Sequence, residues 1–301
     1  MRKRKHNEGF SLLELLVSMA VMLVGASVAL SALFVAQKIY GSQQLQADMH
    51  AGLRSSFELV TQEIGQAGAL NFAPQTLTAA VTANASAQTV TVSSSANVFV
   101  GERLTVDTTS SGETVLVTAV PSSNQIRGIF TKNHANGAAV VAQGVFPQGV
   151  LSGSTATALK LFGDINGDGS LSYVRYDCDT AAGTLTRSIT TLGPGVTTQN
   201  PPQILLNTLI ANPDGTPCFQ YSTPVTVTVN STTYTFIPNL AVLLTVKTAK
   251  IDPQTRTFVT MTKSFSNLAS RNVLAGLTMA QASTPVTTRL QSTPPGLPLA
   301  P

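Results

Sequence analysis

The sequence predicts an α+β protein, with a long N-terminal helix, membrane-spanning and then amphipathic, packed on a β-rich globular domain. Three observations predict it. Residues 15–36, LLVSMAVMLVGASVALSALFVA, hold no charge. Residues 45–67 repeat apolar side chains at helical spacing, and from about Gln75 to Lys263 short alternating runs are broken by turn residues. The 301 residues are 43% hydrophobic and only 11% charged, against roughly 25% charged in an average soluble domain. Such a chain buries a core, and its 22 Gly and 16 Pro favour strands and turns.

The apolar run comes first. Twenty-two helical residues span about 33 Å, enough for a bilayer core of roughly 30 Å. Arg2, Lys3, Arg4 and Lys5 precede it, so the positive-inside bias keeps the N-terminus cytoplasmic and sends everything after Lys38 out. A cleaved secretory signal is the alternative, but its apolar region is shorter and ends in a small-residue site. The helix then continues with one apolar face. Leu45, Met49, Leu53, Phe57, Val60, Ile64 and Ala67 line that face, while Asp48, Arg54, Glu58, Gln62 and Glu63 take the others. No proline occurs before Pro74, and Gly68 is a natural stop. The expectation is one helix from Phe10 to about Gly68, near 90 Å long at the standard rise.

Charge and motif content exclude several functions. Eighteen basic and 14 acidic residues give +4, but four of the bases and one acid, Glu8, lie in residues 1–9. The rest of the chain is nearly neutral, so no nucleic-acid partner is expected. Two Cys and three His are too few for a structural zinc cluster. No GxxxxGK[ST], HExxH or GxSxG occurs, and no enzymatic site is expected.

The junction before the helix is the most informative stretch. It reads Glu8-Gly9-Phe10-Ser11-Leu12-Leu13-Glu14. This resembles the class III signal of type IV pilins and pseudopilins, where a short basic leader ends in Gly, followed by Phe and a buried Glu four residues on. The resemblance implies that residues 1–9 are a leader removed by prepilin peptidase after Gly9, with methylation of the new amine on Phe10. It also assigns residues 10–70 to a pilin-type helix, and an assembly role to Glu14. Its implied partners are other major and minor pilins, the inner-membrane pilus assembly platform and membrane lipid.

Elementary electrostatics supports the Glu14 role independently. A carboxylate in a membrane helix costs a few kcal/mol unless partnered. The Phe10 amine, one turn away in the same or a neighbouring subunit, lowers the cost of both charges and fixes axial register. Without it Glu14 would sit at the headgroup boundary. Residues 53–68, with Arg54, Ile64 and Gln66-Ala67-Gly68, are similar to the helix end of PilW/PulJ-type minor pilins. Many major pilins carry a kinking proline in the apolar half, where this chain has Ser and Gly.

Residues 71–281 form the expected β-rich domain. Predicted strands are 89–92, 103–106, 114–117, 171–176, 225–229, 242–246 and 258–261, and residues 87–142 read as a self-contained β insertion. His134 reads as a turn residue. Residues 282–301, rich in Ser, Thr and Pro, read as a disordered tail.

One loop carries a metal-like pattern. Asp164, Asn166, Asp168 and Ser170, with Gly169, reproduce the front half of a calcium loop. The twelfth position, which needs a bidentate acid, is Arg175, and the ninth is Ser172. Asp177 or Asp179 would have to fold back. A plain turn is the competing reading, because Asn-Gly and Asp-Gly are strong hairpin signals. PilW-like proteins often carry such a turn. Calcium is thus the one candidate cofactor.

Cys178 and Cys218 lie on the extracytoplasmic side of this topology, where disulfides persist. A bridge closing about 40 residues stabilises by roughly 4 kcal/mol; two free buried thiols are the alternative. The functional expectation is a minor type IV pilin, first single-pass in the inner membrane and then at the pilus or cell surface. The alternatives are a minor pseudopilin of a type II secretion system and a membrane-anchored, calcium-binding β-domain adhesin.

Overall fold

The computed structural model describes residues 11–142, 144–193, 195–229, 231–282 and 289–300. Among the described residues, one long helix, α1 (Leu12–Gln66), is followed by seventeen strands and a short helix, α2 (Arg271–Gln281). Two compact units result: Met1–Ala51 with Lys247–Thr260, and Gly52–Val246 with Met261–Pro301. The predicted α+β architecture is the observed one, a long helix followed by several antiparallel sheets.

In the first unit, α1 is long and apolar enough to cross a membrane, with an 18-residue window of mean hydropathy 2.3 and none of it buried. Its serines do not oppose that. Ser18, Ser27 and Ser31 each donate to the carbonyl three residues back, at 2.8–2.9 Å, so their hydroxyls carry no unmet polarity into an apolar medium. From Gln37 the helix becomes polar, and around Ser42 and Gln46 it meets the segment 247–260. There Asp252, fully buried, accepts from Ser42 Oγ at 2.5 Å and from the backbone N–H groups of Gln254 and Thr255 at 2.7 and 2.9 Å.

Ser42's hydroxyl first, then those N–H groups, hold the Asp252 carboxyl down at about 2. The unfolded value is near 4, so the folded state gains stability from this carboxylate above about pH 4 and loses it as pH falls toward 2. Carboxyl NMR titration of Asp252 is therefore expected to show a midpoint near 2, and Asp252→Asn should remove the acid sensitivity of amide exchange in residues 248–259. A midpoint at the ordinary Asp value would contradict the contact.

In the second unit the continuation of α1 is the core. Leu53, Phe57, Val60, Ile64 and Ala67 are all at most 1% exposed, as the spacing predicts. Glu63, assigned by spacing to a polar face, is instead buried at 4% exposure. The reason is that the domain wraps more of the helix than an apolar stripe requires, and supplies a counter-charge described below.

The helix end is closed by its surroundings. Gly68 adopts φ +78°, the conformation glycine permits past a helix terminus. Its N–H donates to Phe162 O and its carbonyl accepts from Phe146 N. Gly163 and Gly149 lie so close that an added Cβ would meet Gly68 backbone at 2.8 and 2.5 Å. Ser270 donates to the Ala67 carbonyl and also accepts from Val273 N, so one hydroxyl ends α1 and begins α2.

Seven strands build the insertion: β1 (Gln75–Thr76), β2 (Asn84–Thr91), β3 (Arg103–Val106), β4 (Glu113–Leu116), β5 (Ala119–Ser122), β6 (Gln125–Phe130) and β7 (Ala139–Ala142). They pair as β1-β7-β3-β4 and β2-β6-β5 around a core of their own. That core includes Leu77 and Val81, so the module begins near residue 75 rather than 87. The short β1 carries too few residues to show alternation in the sequence.

Strands β8 (Ala158–Gly163), β9 (Ser172–Asp179), β10 (Thr184–Thr191) and β11 (Gln203–Leu206) form one antiparallel sheet in the order β11-β10-β9-β8. Then come β12 (Leu209–Ile210), β13 (Phe219–Tyr221), β14 (Val225–Val229), β15 (Thr232–Phe236), β16 (Leu240–Lys247) and β17 (Thr260–Leu268). Of these, β16 pairs with β12, β13 and β17, while β14 and β15 make a hairpin.

The chain's last described stretch differs from the disordered tail its composition predicts. Over residues 289–300 Leu290 is fully buried, Gln291 is 1% exposed and Leu299 5%. The apolar residues scattered among the prolines are enough to hold it, because Gln291 makes paired bonds to the Arg103 backbone (2.9 Å each).

Candidate functional site

Gly9 and Phe10, the processing residues read from the sequence, lie outside the described residues, as does the leader. The described chain starts at Ser11, and its first turn is a capping box. Ser11 Oγ accepts from Leu13 N at 3.3 Å, and Glu14 Oε2 accepts from Ser11 N at 3.4 Å. Glu14 is thus the acidic residue of the first turn, placed where the helix N-terminus favours a negative charge.

Around it every large apolar side chain is bare. Leu12 is 79% exposed, Leu13 72%, Met22 77% and Leu23 68%. A soluble monomer rarely leaves so long an apolar surface open, so lipid or other apolar helices must cover it. One carboxylate in an otherwise uncharged surface is therefore a positional marker for whatever covers it.

The helix and the sheet are joined by a second charged group that spacing did not single out. Arg187 on β10 donates to the Glu63 carboxylate on α1, with Nε 3.1 and 3.2 Å from its two oxygens, and Nη2 completes the pair. Tyr176 on β9, opposite Arg187 in register, donates its hydroxyl to the same carboxylate. Burial first, then the Glu63 charge, raises the Tyr176 pKa, so the hydroxyl stays a donor. Nothing in one-dimensional spacing links residue 63 with residues 176 and 187.

The Asp164–Ser170 loop connects β8 to β9. Asp164 is 2% exposed, and its two oxygens accept from Asp168 N and Gly169 N at 3.1 Å each. Asp168 Oδ1 accepts from Ser170 N at 2.8 Å. Gly167 and Gly169 take φ +70° and +82°, which the tight loop demands. Backbone N–H groups thus answer both carboxylates, while Asn166 is exposed. Among the described residues no group of three or more His, Cys, Asp or Glu is placed to hold a metal ion.

Cys178 and Cys218 form a disulfide, with Cα atoms 6.5 Å apart. It joins the end of β9 to the residue before β13, and hence ties two sheets together. His134, read as a turn residue, is buried instead. Its Nε2 lies 2.7 Å from Glu113 Oε1 and its Nδ1 3.9 Å from Asp107 Oδ2. Burial opposes ionisation of Glu113, but hydrogen bonds from Thr131, His134 and Lys132 outweigh it and lower its pKa. The sequence hides this group because its members come from separate places in the chain: Asp107 follows β3, Glu113 opens β4 and His134 lies beyond β6.

Residues 4–30 match a family model, the prokaryotic N-terminal methylation motif. No curated protein matches the chain. No solved structure matches it either. The matched residues run from the basic leader into the bare apolar helix. Together they support a type IV pilin-like or pseudopilin protein, anchored in the membrane through its N-terminus and a substrate of prepilin peptidase.

Proposed function

We propose that the protein is a minor type IV pilin of the PilW/PulJ kind, cleaved after Gly9 and methylated on Phe10. It then enters a pilus, or primes its assembly, through its N-terminal helix. The observation that carries this is an uncovered apolar helical stretch that begins with a methylation motif and, between Ser11 and Lys38, bears one acid, Glu14. Its partners are prepilin peptidase, major and minor pilins, the inner-membrane assembly platform and lipid. The N-terminus stays cytoplasmic, and the domain is extracytoplasmic and then surface-borne. Its work is assembly and not catalysis.

Deletion of the gene tests the reading. A minor pilin should be needed for normal pilus number while protein secretion is unaffected. A secretion defect with normal pili would instead identify a minor pseudopilin of a type II system.

The Asp164–Ser170 loop serves this role as a turn that needs no calcium. Support comes from the backbone donors on both Asp164 oxygens. Millimolar calcium and chelator should give the same melting temperature, whereas Asp164→Ala should destabilise by about 1–3 kcal/mol by leaving the Asp168 and Gly169 N–H groups without their acceptor. A melting temperature that rises several degrees with calcium would overturn this.

A further inference from the structure

Three segments distant in sequence enclose a cleft of about 760 Å³: residues around Phe99 in the β insertion, residues around Leu192, and the C-terminal stretch near Leu297. The volume is that of a small-molecule site. Among the described residues no charged side chain lines it. A charged ligand would lose its hydration there with nothing to pair against.

Two polar side chains of the wall are already engaged. Asn97 Nδ2 donates to Gly169 O at 2.9 Å, and Ser95 Oγ donates to Ser122 O at 2.7 Å. What the cleft presents is therefore mainly apolar, with Leu171 and Leu299 nearly buried within it and Val100 and Val196 exposed at 45% and 37%.

One wall is held in place at both ends. Gln291 bonds the Arg103 backbone through both its amide atoms, and Arg103 Nη1 donates to Leu290 O at 3.0 Å. At the other end Gln199 N donates to Ala300 O at 2.9 Å, and Gln199 Nε2 donates to Leu299 O at 2.9 Å. A C-terminal stretch stapled at two points keeps the cleft open without having to fill it.

We propose that this cleft is a binding site for a small, uncharged, apolar ligand. The ligand packs against Phe99, Leu192 and Leu297 and displaces water that these side chains hold poorly. The inference is independent of whether the N-terminal helix enters a pilus.

The test uses the full chain in lipid nanodiscs, with the uncharged probe N-phenyl-1-naphthylamine. Amide exchange is followed at Ser95, Val98 and Leu192, whose N–H groups are bonded within the cleft wall. Exchange of all three should slow saturably, by about tenfold when free probe is ten times its dissociation constant. Amides of β8–β10 remote from the cleft should not change. Leu297→Arg should abolish the effect, as should Val196→Lys, a rim change that a half-exposed position tolerates if the first variant unfolds. Absence of saturable slowing in the wild-type chain, or its persistence in a folded variant, would overturn the proposal.

Discussion

Arg187→Ala is expected to destabilise the domain by about 3–5 kcal/mol, the cost of leaving a buried carboxylate without its partner. Glu63 is 4% exposed, and its carboxylate is held by the Tyr176 hydroxyl and the Arg187 guanidinium. Removing Glu63, Tyr176 and Arg187 together, as Met, Phe and Met, should cost far less, because no stranded charge remains. Equilibrium unfolding in denaturant gives both numbers. A loss under 1 kcal/mol for Arg187→Ala would mean that water or another group reaches Glu63. The pair then does not join helix to sheet.

The second large effect is on assembly. Glu14→Val should leave the protein inserted and processed, since removing a charge only helps an apolar helix enter lipid. Its incorporation into pili should fail, because a positive amine on Phe10 would lose its counter-charge within the covering bundle. The measurement is co-purification with other pilins alongside pilus counts. Normal values for both would remove Glu14 from the account.

The parts legible in the sequence were those encoded locally. The uncharged run and the period of Leu53, Phe57, Val60, Ile64 and Ala67 specify α1 within two residues at each end of what was described, because helix burial follows a fixed spacing. Strands such as Val225–Val229 and Arg103–Val106 were equally direct. Strand β10 was not, because Leu185, Ser188 and Thr190 bury a mixed face whose polar members are answered by other segments, as Ser188 is by Asn200 O. Helix α2 was missed for its brevity, although Ser270 is a proper N-cap.

The candidate sites divide in the same way. The Gly9–Phe10 junction and Glu14 form one contiguous pattern, and the disulfide needed only two cysteines and a compartment. Glu63 with Arg187, His134 with Glu113, and the burial of Leu290 and Gln291 are products of tertiary contact between distant segments. Periodicity alone places Glu63 on the wrong face, since it knows the helix but not how far the sheets wrap around it.

The most direct test of the central claim is the mass of the N-terminal peptide of the mature protein. The account predicts a chain that begins at Phe10 and carries one methyl group on its amine, and predicts that a bulky residue in place of Gly9 leaves full-length protein in the inner membrane. A mature chain still carrying residues 1–9, or one cut beyond the apolar helix, would contradict it.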